Sequence, residues 1–264
     1  MLESDLAEKI MSRIPSLQEL LEAGVHFGHQ ARRWNPKMKG YIFGQQAGIH
    51  VIDLEKTAAQ LKKAGEFIKE VASRGGVVIF LATKKQAAEI VKTEAQRVGA
   101  MYLTKRWLGG LLTNFDSVKK TIEKAGILEE KLKNAESTGY TKKEQLLIRR
   151  DLDKLNRLLG GIRGLNKLPD CLFIVDAHKE DNAVAEAGRM GVPIVALVDT
   201  NGDPTLVTYP IAANDDALKS ISILVKTIAD AYGEGRGIWD KKSAEKTETE
   251  SETAKKTKLA VQTK

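Results

Sequence analysis

The apolar residues of this chain follow two rhythms. At 77–81 (VVIFL), 172–175 (LFIV) and 193–198 (PIVALV) they run without interruption, as in strands buried on both faces of a parallel sheet. Elsewhere they recur every three or four residues. Leu54, Ala58, Leu61, Gly65, Ile68 and Ala72 line one face of a helix that Asp53 opens and that ends near Ser73, before the turn Arg74-Gly75-Gly76. Thr83 is placed to cap a helix over 84–98, which Gly99 stops. Further helices are predicted over 180–190, closed by Gly191, and over 215–232, with short strands at 101–103 and 209–212. Strand alternating with helix predicts a doubly wound, mainly parallel α/β sheet.

Residues 114–165 break that rhythm. Phe115, Val118, Ile122, Ala125, Leu128 and Leu132 form one narrow seam, and Ile148, Leu152, Leu155, Leu159 and Ile162 form another. Between them lies AESTGY, followed by a Thr141…Glu144 capping box. The reading is an antiparallel coiled-coil hairpin inserted in the α/β domain, roughly 33 Å long at 1.5 Å per residue. Upstream, a short helix is predicted over 4–11 and another over 17–22, the latter capped by Ser16 with Glu19. The chain thus divides into 1–113, the insert 114–165, the second α/β part 166–235, and a Lys/Glu/Thr-rich tail 236–264 whose composition predicts disorder.

Charge changes this picture at one place above all. The stretch 23–52, AGVHFGHQARRWNPKMKGYIFGQQAGIHVI, has no Asp or Glu, although 29% of the chain is charged. It holds Arg32, Arg33, Lys37 and Lys39, three of the four histidines (His26, His29, His50), and the rings of Phe27, Trp34, Tyr41 and Phe43. Asn35-Pro36 and Gly40, Gly44 and Gly48 favour turning backbone, with short strands at 41–43 and 49–52. Cations interleaved with rings suit an RNA backbone. A basic loop folded onto its own core, with Phe27, Trp34 and Tyr41 buried, fits the same residues.

The whole chain carries +7, distributed unevenly. Residues 1–169 carry +11, 170–240 carry −7, and 241–264 carry +3. A basic part beside an acidic part points to one face on a polyanion and another toward a different partner. Two more acid-free windows, 95–115 with Lys105, Arg106 and Trp107, and 154–169 with Arg157, Arg163 and Lys167, flank the root of the hairpin. No apolar run approaches the roughly 18 residues of a membrane span, and the first 15 residues have no apolar core of a secretory signal. Cys171 is the single cysteine, which excludes an internal disulfide and any multi-cysteine metal site. Its apolar surroundings predict a buried thiol in a reducing compartment.

Candidates for chemistry are few. Asp176, Asp199 and Asp203 follow strands, where open α/β sheets place ligands, so a magnesium or nucleotide site is the enzyme reading. Neither G-x-G-x-x-G after a strand nor G-x-x-x-x-G-K-[ST] occurs. Thr83-Lys84-Lys85 sits at a helix start after a strand, as suited to a phosphate as to a simple cap. His26 and His29 have metal-like spacing but no second ligand pair.

The segments LLEAGVHFGHQARRWNPKMKGYIFG, KRWLGGLLTNF, LDKLNRLLGGIRGL and PDCLFIVDAHKEDNAVAEAGRMGVPIVALVDTN together resemble the ribosomal protein S-two family, in its bacterial and organellar form. The resemblance covers about 17–236. It implies a flavodoxin-like (Rossmann-like) fold with the hairpin inserted, no enzymatic activity, and no cofactor or metal. It implies a cytoplasmic, ribosomal protein that binds small-subunit ribosomal RNA between head and body and helps hold ribosomal protein S-one, with no membrane contact and no homo-oligomer. Carried over by position, the RNA-facing residues are Arg32, Arg33, Trp34, Lys37, Lys39, Lys105, Arg106 and Trp107, with Lys84 and Lys85 beside them. The acidic part, at Asp199, Asp203, Asp215 and Asp216, is expected to face the protein partner.

Overall fold

A computed structural model describes residues 14–133 and 140–262, with side chains of the last helix to residue 244. The helix expected over 4–11 and the hairpin turn at 134–139 lie outside the described residues. Five parallel strands, β4 (Val78–Leu81), β5 (Met101–Leu103), β6 (Cys171–Val175), β7 (Ile194–Val198) and β8 (Tyr209–Ala212), lie in the order β5-β4-β6-β7-β8. The chain leaves β4 toward β5 and returns on the other side, so the direction of winding switches between β4 and β6.

The unbroken apolar runs are explained by two cores. Val78, Phe80, Phe173, Val175, Val195 and Leu197 point to one face, and Ile79, Leu81, Leu172, Ile174, Ala196 and Val198 to the other. This is the two-residue period of a strand with no wet side. The first face is covered by α2 (Leu54–Ser73), α3 (Lys85–Arg97) and α7 (Leu218–Gln262). The second receives α6 (Asp181–Met190), Met38, and the roots of α4 (Phe115–Lys133) and α5 (Lys142–Leu159). Phe80 and Phe173 meet edge to face at 5.1 Å on the first side.

The helix starts that read from local sequence are present. Ser16 with Glu19 caps α1 (Leu17–Glu22), Asp53 accepts from the Glu55 and Lys56 amides, and Thr141 with Glu144 caps α5. Thr83 is not a cap: α3 starts after Lys84, and the Thr83 hydroxyl donates to the buried Glu180 carboxylate instead. The helix expected from 215 starts at Leu218, because the Asn214 side chain accepts from the amides of Asp216 and Ala217 and holds them in a turn.

That last helix also runs on past residue 236, where composition predicts the start of a disordered tail. Its backbone is helical through Gln262. The physical reason is close packing on α2. A Cβ at Gly235 would lie 2.4 Å from the Lys69 carbonyl oxygen, and the Trp239 ring rests 2.7 Å from a Cβ position on Gly75. Lys69 Nζ adds an ion pair to Glu234 at 2.9 Å. The absent side chain at Gly235 therefore allows contact with α2.

α4 and α5 pack on each other between β5 and β6. The predicted seam positions are the shielded ones: Ile122, Ala125 and Leu159 are buried, and Phe115, Val118, Ile148, Leu152 and Leu155 half-buried. Arg163 ties the two helices, donating to Glu129 Oε2 at 2.9 Å and to the Asn156 side chain.

Candidate nucleic-acid interface

The acid-free stretch folds as a small antiparallel sheet. β1 (Phe27–Gln30) and β2 (Ile42–Gln46) flank β3 (Ile49–Ile52). Ala47 (φ 50°) and Gly48 (φ 79°) form the two-residue turn between β2 and β3, with the left-handed backbone such hairpins need. Between β1 and β2 the chain takes two short 3₁₀ turns at Ala31–Arg33 and Pro36–Tyr41, the second opened by Asn35, whose side chain accepts from the Lys37 amide. β1 is a strand that the sequence pattern does not reveal.

This sheet is seated on the carboxyl ends of β7 and β8. Thr200, just past β7, accepts from the Asn35 amide at 2.7 Å and, through its hydroxyl, from the His29 amide at 2.9 Å. Gly28 lies so close that a Cβ there would meet Thr200 Cγ2 at 2.6 Å. Asn214, just past β8, donates to the carbonyls of Val25 and Gly24. The basic segment is thus held rigidly over the crevice where open α/β sheets place their ligands.

Of its cations, Arg32, Arg33 and Lys39 are exposed, and none of them meets a carboxylate among the described residues. Arg32 Nε donates to the Gln30 side chain at 3.1 Å, which orients its guanidinium. Lys37 is spent: its ammonium lies 2.5 Å from Asp203 Oδ2 and donates to the Thr205 hydroxyl. Trp34 is half-buried, 5.1 Å from the His50 ring, so it packs the segment from within. His26 lies against Phe27, and burial holds its pKa below the usual value. Phe27 is half-exposed, not buried in the core as the bland reading required.

Beneath the segment lies a network that sequence did not reveal. Lys84 Nζ sits 2.7 Å from Asp215, 2.6 Å from Asp216 and 3.3 Å from Asp176. Asp176 reaches it from a left-handed backbone (φ 68°), a conformation that costs a non-glycine residue energy. His29 Nδ1 lies 3.1 Å from Asp199, and its Nε2 lies 3.7 Å from Asp216. Lys84, read from sequence as a phosphate contact, is therefore placed as an internal counterion of three carboxylates. Burial opposes its charge, yet the carboxylates of Asp215, Asp216 and Asp176 outweigh it and raise its pKa. Lys85, the next residue, is exposed.

The same geometry corrects the acidic partner face. Asp199 and Asp215 are buried, the half-buried Asp203 is paired with Lys37, and only Asp216, itself paired with Lys84, is exposed. The enzyme reading also loses its constellation. Asp176 serves Lys84, Asp199 serves His29 and Asp203 serves Lys37, so each is already engaged by a cationic or imidazole partner of this chain. Among the described residues no group of three or more His, Cys, Asp or Glu side chains is arranged to hold a metal ion. Cys171 is buried in β6, and burial raises the pKa of its thiol.

Lys105 and Arg106 are exposed on the loop after β5, but Trp107 is not free to stack. Its indole N–H donates to Glu186 Oε1 at 2.9 Å, and the same carboxylate accepts from the amides of Gly110 and Leu112 at 2.8 and 3.1 Å. The Thr113 hydroxyl adds a contact at 3.3 Å. Glu186 is buried on α6. Burial disfavours its charge, but these donors outweigh the penalty and hold its pKa below the ordinary range.

The buried network titrates in a predictable direction. Asp215 is pushed up to about 7, first by burial and then by the charges of Asp176 and Asp199, with Lys84 opposing. Three carboxylates surround one ammonium, so the proton retained near neutrality belongs on the most buried of them. A raised folded pKa means stability that is complete below the unfolded value of 3.8 and is lost as pH rises through about 7. His29, raised by its hydrogen bond to Asp199, adds a loss of the same sign above its unfolded value of 6.5. Between pH 5 and 7.5, urea unfolding should show wild type losing more stability than Asp215→Asn. Parallel pH profiles for the two chains would overturn this assignment.

What emerges is an α/β domain whose crevice is filled by its own side chains and roofed by a basic segment, the class of a structural binding protein. Comparison with known proteins agrees. The profile of the family described as Ribosomal protein S2 matches residues 20–235. Proteins named small ribosomal subunit protein uS2 are similar along most of their length. The one from Dictyoglomus thermophilum is 50% identical over 227 residues, covering 86% of this chain and 92% of the relative. That of Thermobifida fusca is 49% identical over 226 residues, 85% of this chain and 77% of the relative. That of Bdellovibrio bacteriovorus is 45% identical over 243 residues, 92% and 78%. The chain belongs to the ribosomal protein S2 family, which consists of structural proteins and not enzymes.

Proposed function

We propose that this protein is a structural constituent of the small ribosomal subunit, in the cytoplasm, and binds small-subunit ribosomal RNA near the head–body junction through its acid-free segment. The observation that carries the reading is the exposure of Arg32, Arg33 and Lys39, unpaired with carboxylates, on a sheet fixed to the domain by Thr200 and Asn214. Preorganised cations lose little entropy on meeting phosphates, and phosphate contacts fix position without reading sequence. Lys85, Lys105 and Arg106 extend the contact, and the α4–α5 pair, as a coiled-coil arm, widens it. The relatives' names place them in the small subunit, and the resemblance adds ribosomal protein S-one as a protein partner of a monomeric chain. Of the four aspartates proposed to face it, Asp216 alone keeps an exposed carboxylate.

The test is the salt dependence of binding to small-subunit rRNA. Each phosphate contact contributes roughly 0.7–0.9 to the slope of log K against log[salt]. Arg32→Gln with Arg33→Gln should reduce the slope by about 1.4–1.8, whereas Lys37→Gln should change it little because Asp203 already neutralises that ammonium. An unchanged slope in the double variant would refute the assignment.

A further inference from the structure

A second cleft lies at the root of the hairpin, away from the basic sheet. It has a volume of about 290 Å³ and is lined by Lys92 of α3, by Tyr102, Thr104 and Lys105 at the end of β5, and by Arg157 and Gly161 of the hairpin root. Three cations from three separate elements converge there against one carboxylate, Glu89. Several other cations near the hairpin root and α3 are neutralised: Arg163 by Glu129, Lys167 by Asp170, and Arg97 by Glu94 and Asp230. The side chains of Lys92, Lys105 and Arg157 make no ion pair or hydrogen bond among the described residues. Like charges gathered from distant parts of the chain repel one another, and folding alone supplies no compensation for them.

The walls of the cleft are fixed. A Cβ at Gly161 would lie 2.1 Å from the Tyr102 carbonyl oxygen, so the hairpin root abuts the edge strand, which only glycine permits. The Tyr102 hydroxyl accepts from Gln96 Nε2 at 2.9 Å, which orients its ring. Lys105 follows the carboxyl end of β5, the end of the sheet where this fold class receives ligands.

We infer that this cleft receives the phosphodiester backbone of folded RNA, held by Lys92, Lys105 and Arg157, and that the bound strand clamps the α4–α5 arm to the α/β domain. The inference rests on the rRNA-binding reading above and adds a second contact to it. The arm and the domain each contribute cations, so one RNA segment bridges them and fixes the arm's direction.

The test uses the full chain and a small-subunit rRNA transcript. The variant Lys92→Gln, Lys105→Gln and Arg157→Gln removes two exposed charges and one half-buried charge, none of them in the core. Its slope of log K against log[salt] should fall by roughly 2–3, the sum of three phosphate contacts. Lys226→Gln, an exposed lysine elsewhere, should leave the slope unchanged. In the wild-type complex, RNA should protect amides of residues 156–161 from hydrogen exchange, and the triple variant should lose that protection. If the triple variant keeps both slope and protection while the Arg32/Arg33 variant loses slope, the cleft carries no RNA. If neither variant changes the slope, the RNA-binding reading itself falls. A slope that falls without any protection at 156–161 would reduce the cations to long-range attraction and would also overturn the clamp.

Discussion

Glu186→Ala should destabilise the fold by roughly 3–5 kcal/mol, measured by urea unfolding at neutral pH, because it leaves several donors without their acceptor at about 1–3 kcal/mol for each buried one. The carboxylate is the common acceptor for the Trp107 indole and the Gly110 and Leu112 amides, with the Thr113 hydroxyl alongside. Alanine leaves these donors in a loop packed on the buried Leu111 and Leu112, where water does not replace the lost acceptor. Glu186→Gln is a sharper control. It keeps the shape and one acceptor oxygen but presents an amide N–H₂ toward amides, and it should recover less than half of the loss. If Glu186→Ala falls within 1 kcal/mol of wild type, the carboxylate does not hold this loop. The consequence reaches the RNA face, because Lys105 and Arg106 ride on the same loop.

Lys84→Ala should cost a similar amount, roughly 3–5 kcal/mol, through the opposite fault. It leaves Asp176, Asp215 and Asp216 facing one another with no ammonium between them. Part of the cost is recovered by proton uptake, so the variant should be least stable at high pH and should gain as pH is lowered. Its rRNA affinity, measured on folded protein, should keep the wild-type salt slope, because Lys84 touches no solvent-borne phosphate. A stable Lys84→Ala chain with a reduced salt slope would restore the phosphate role that the sequence allowed.

These two residues show where sequence reading stops. The strands, α2 and the two capping boxes were legible because their causes are local: an unbroken apolar run, an apolar residue every three or four positions, or a Ser/Thr with a Glu three residues on. Lys84 looked like a phosphate contact because its position after a strand is local information, while Asp215, its partner, is 131 residues away. The same distance hid the burial of Asp199 and Asp215 and made them look like a partner surface. β1 escaped notice because Phe-Gly-His-Gln has no alternating pattern; its pairing with β3 makes it a strand. The last helix ran on into the predicted tail because Gly235 and Trp239 find α2 and its following turn, which composition does not record. Glu186 did leave a trace. It lies beside Ala183, Val184 and Ala187 on the apolar face of α6, and an acid on such a face asks for donors. Arg32, Arg33 and Lys39 were legible for a simpler reason: no acid within 23–52 was available to neutralise them.

The central claim is that exposed cations of the 23–52 segment anchor the chain to small-subunit RNA. Sedimentation of a lysate through a salt-washed gradient tests it most directly, with the wild-type chain compared against Arg32→Gln, Arg33→Gln and Lys39→Gln combined. The wild-type chain should travel with the small subunits, and the folded triple variant should shift toward the top of the gradient. A triple variant that stays with the subunits as fully as wild type, or a wild-type chain found only at the top, would contradict it.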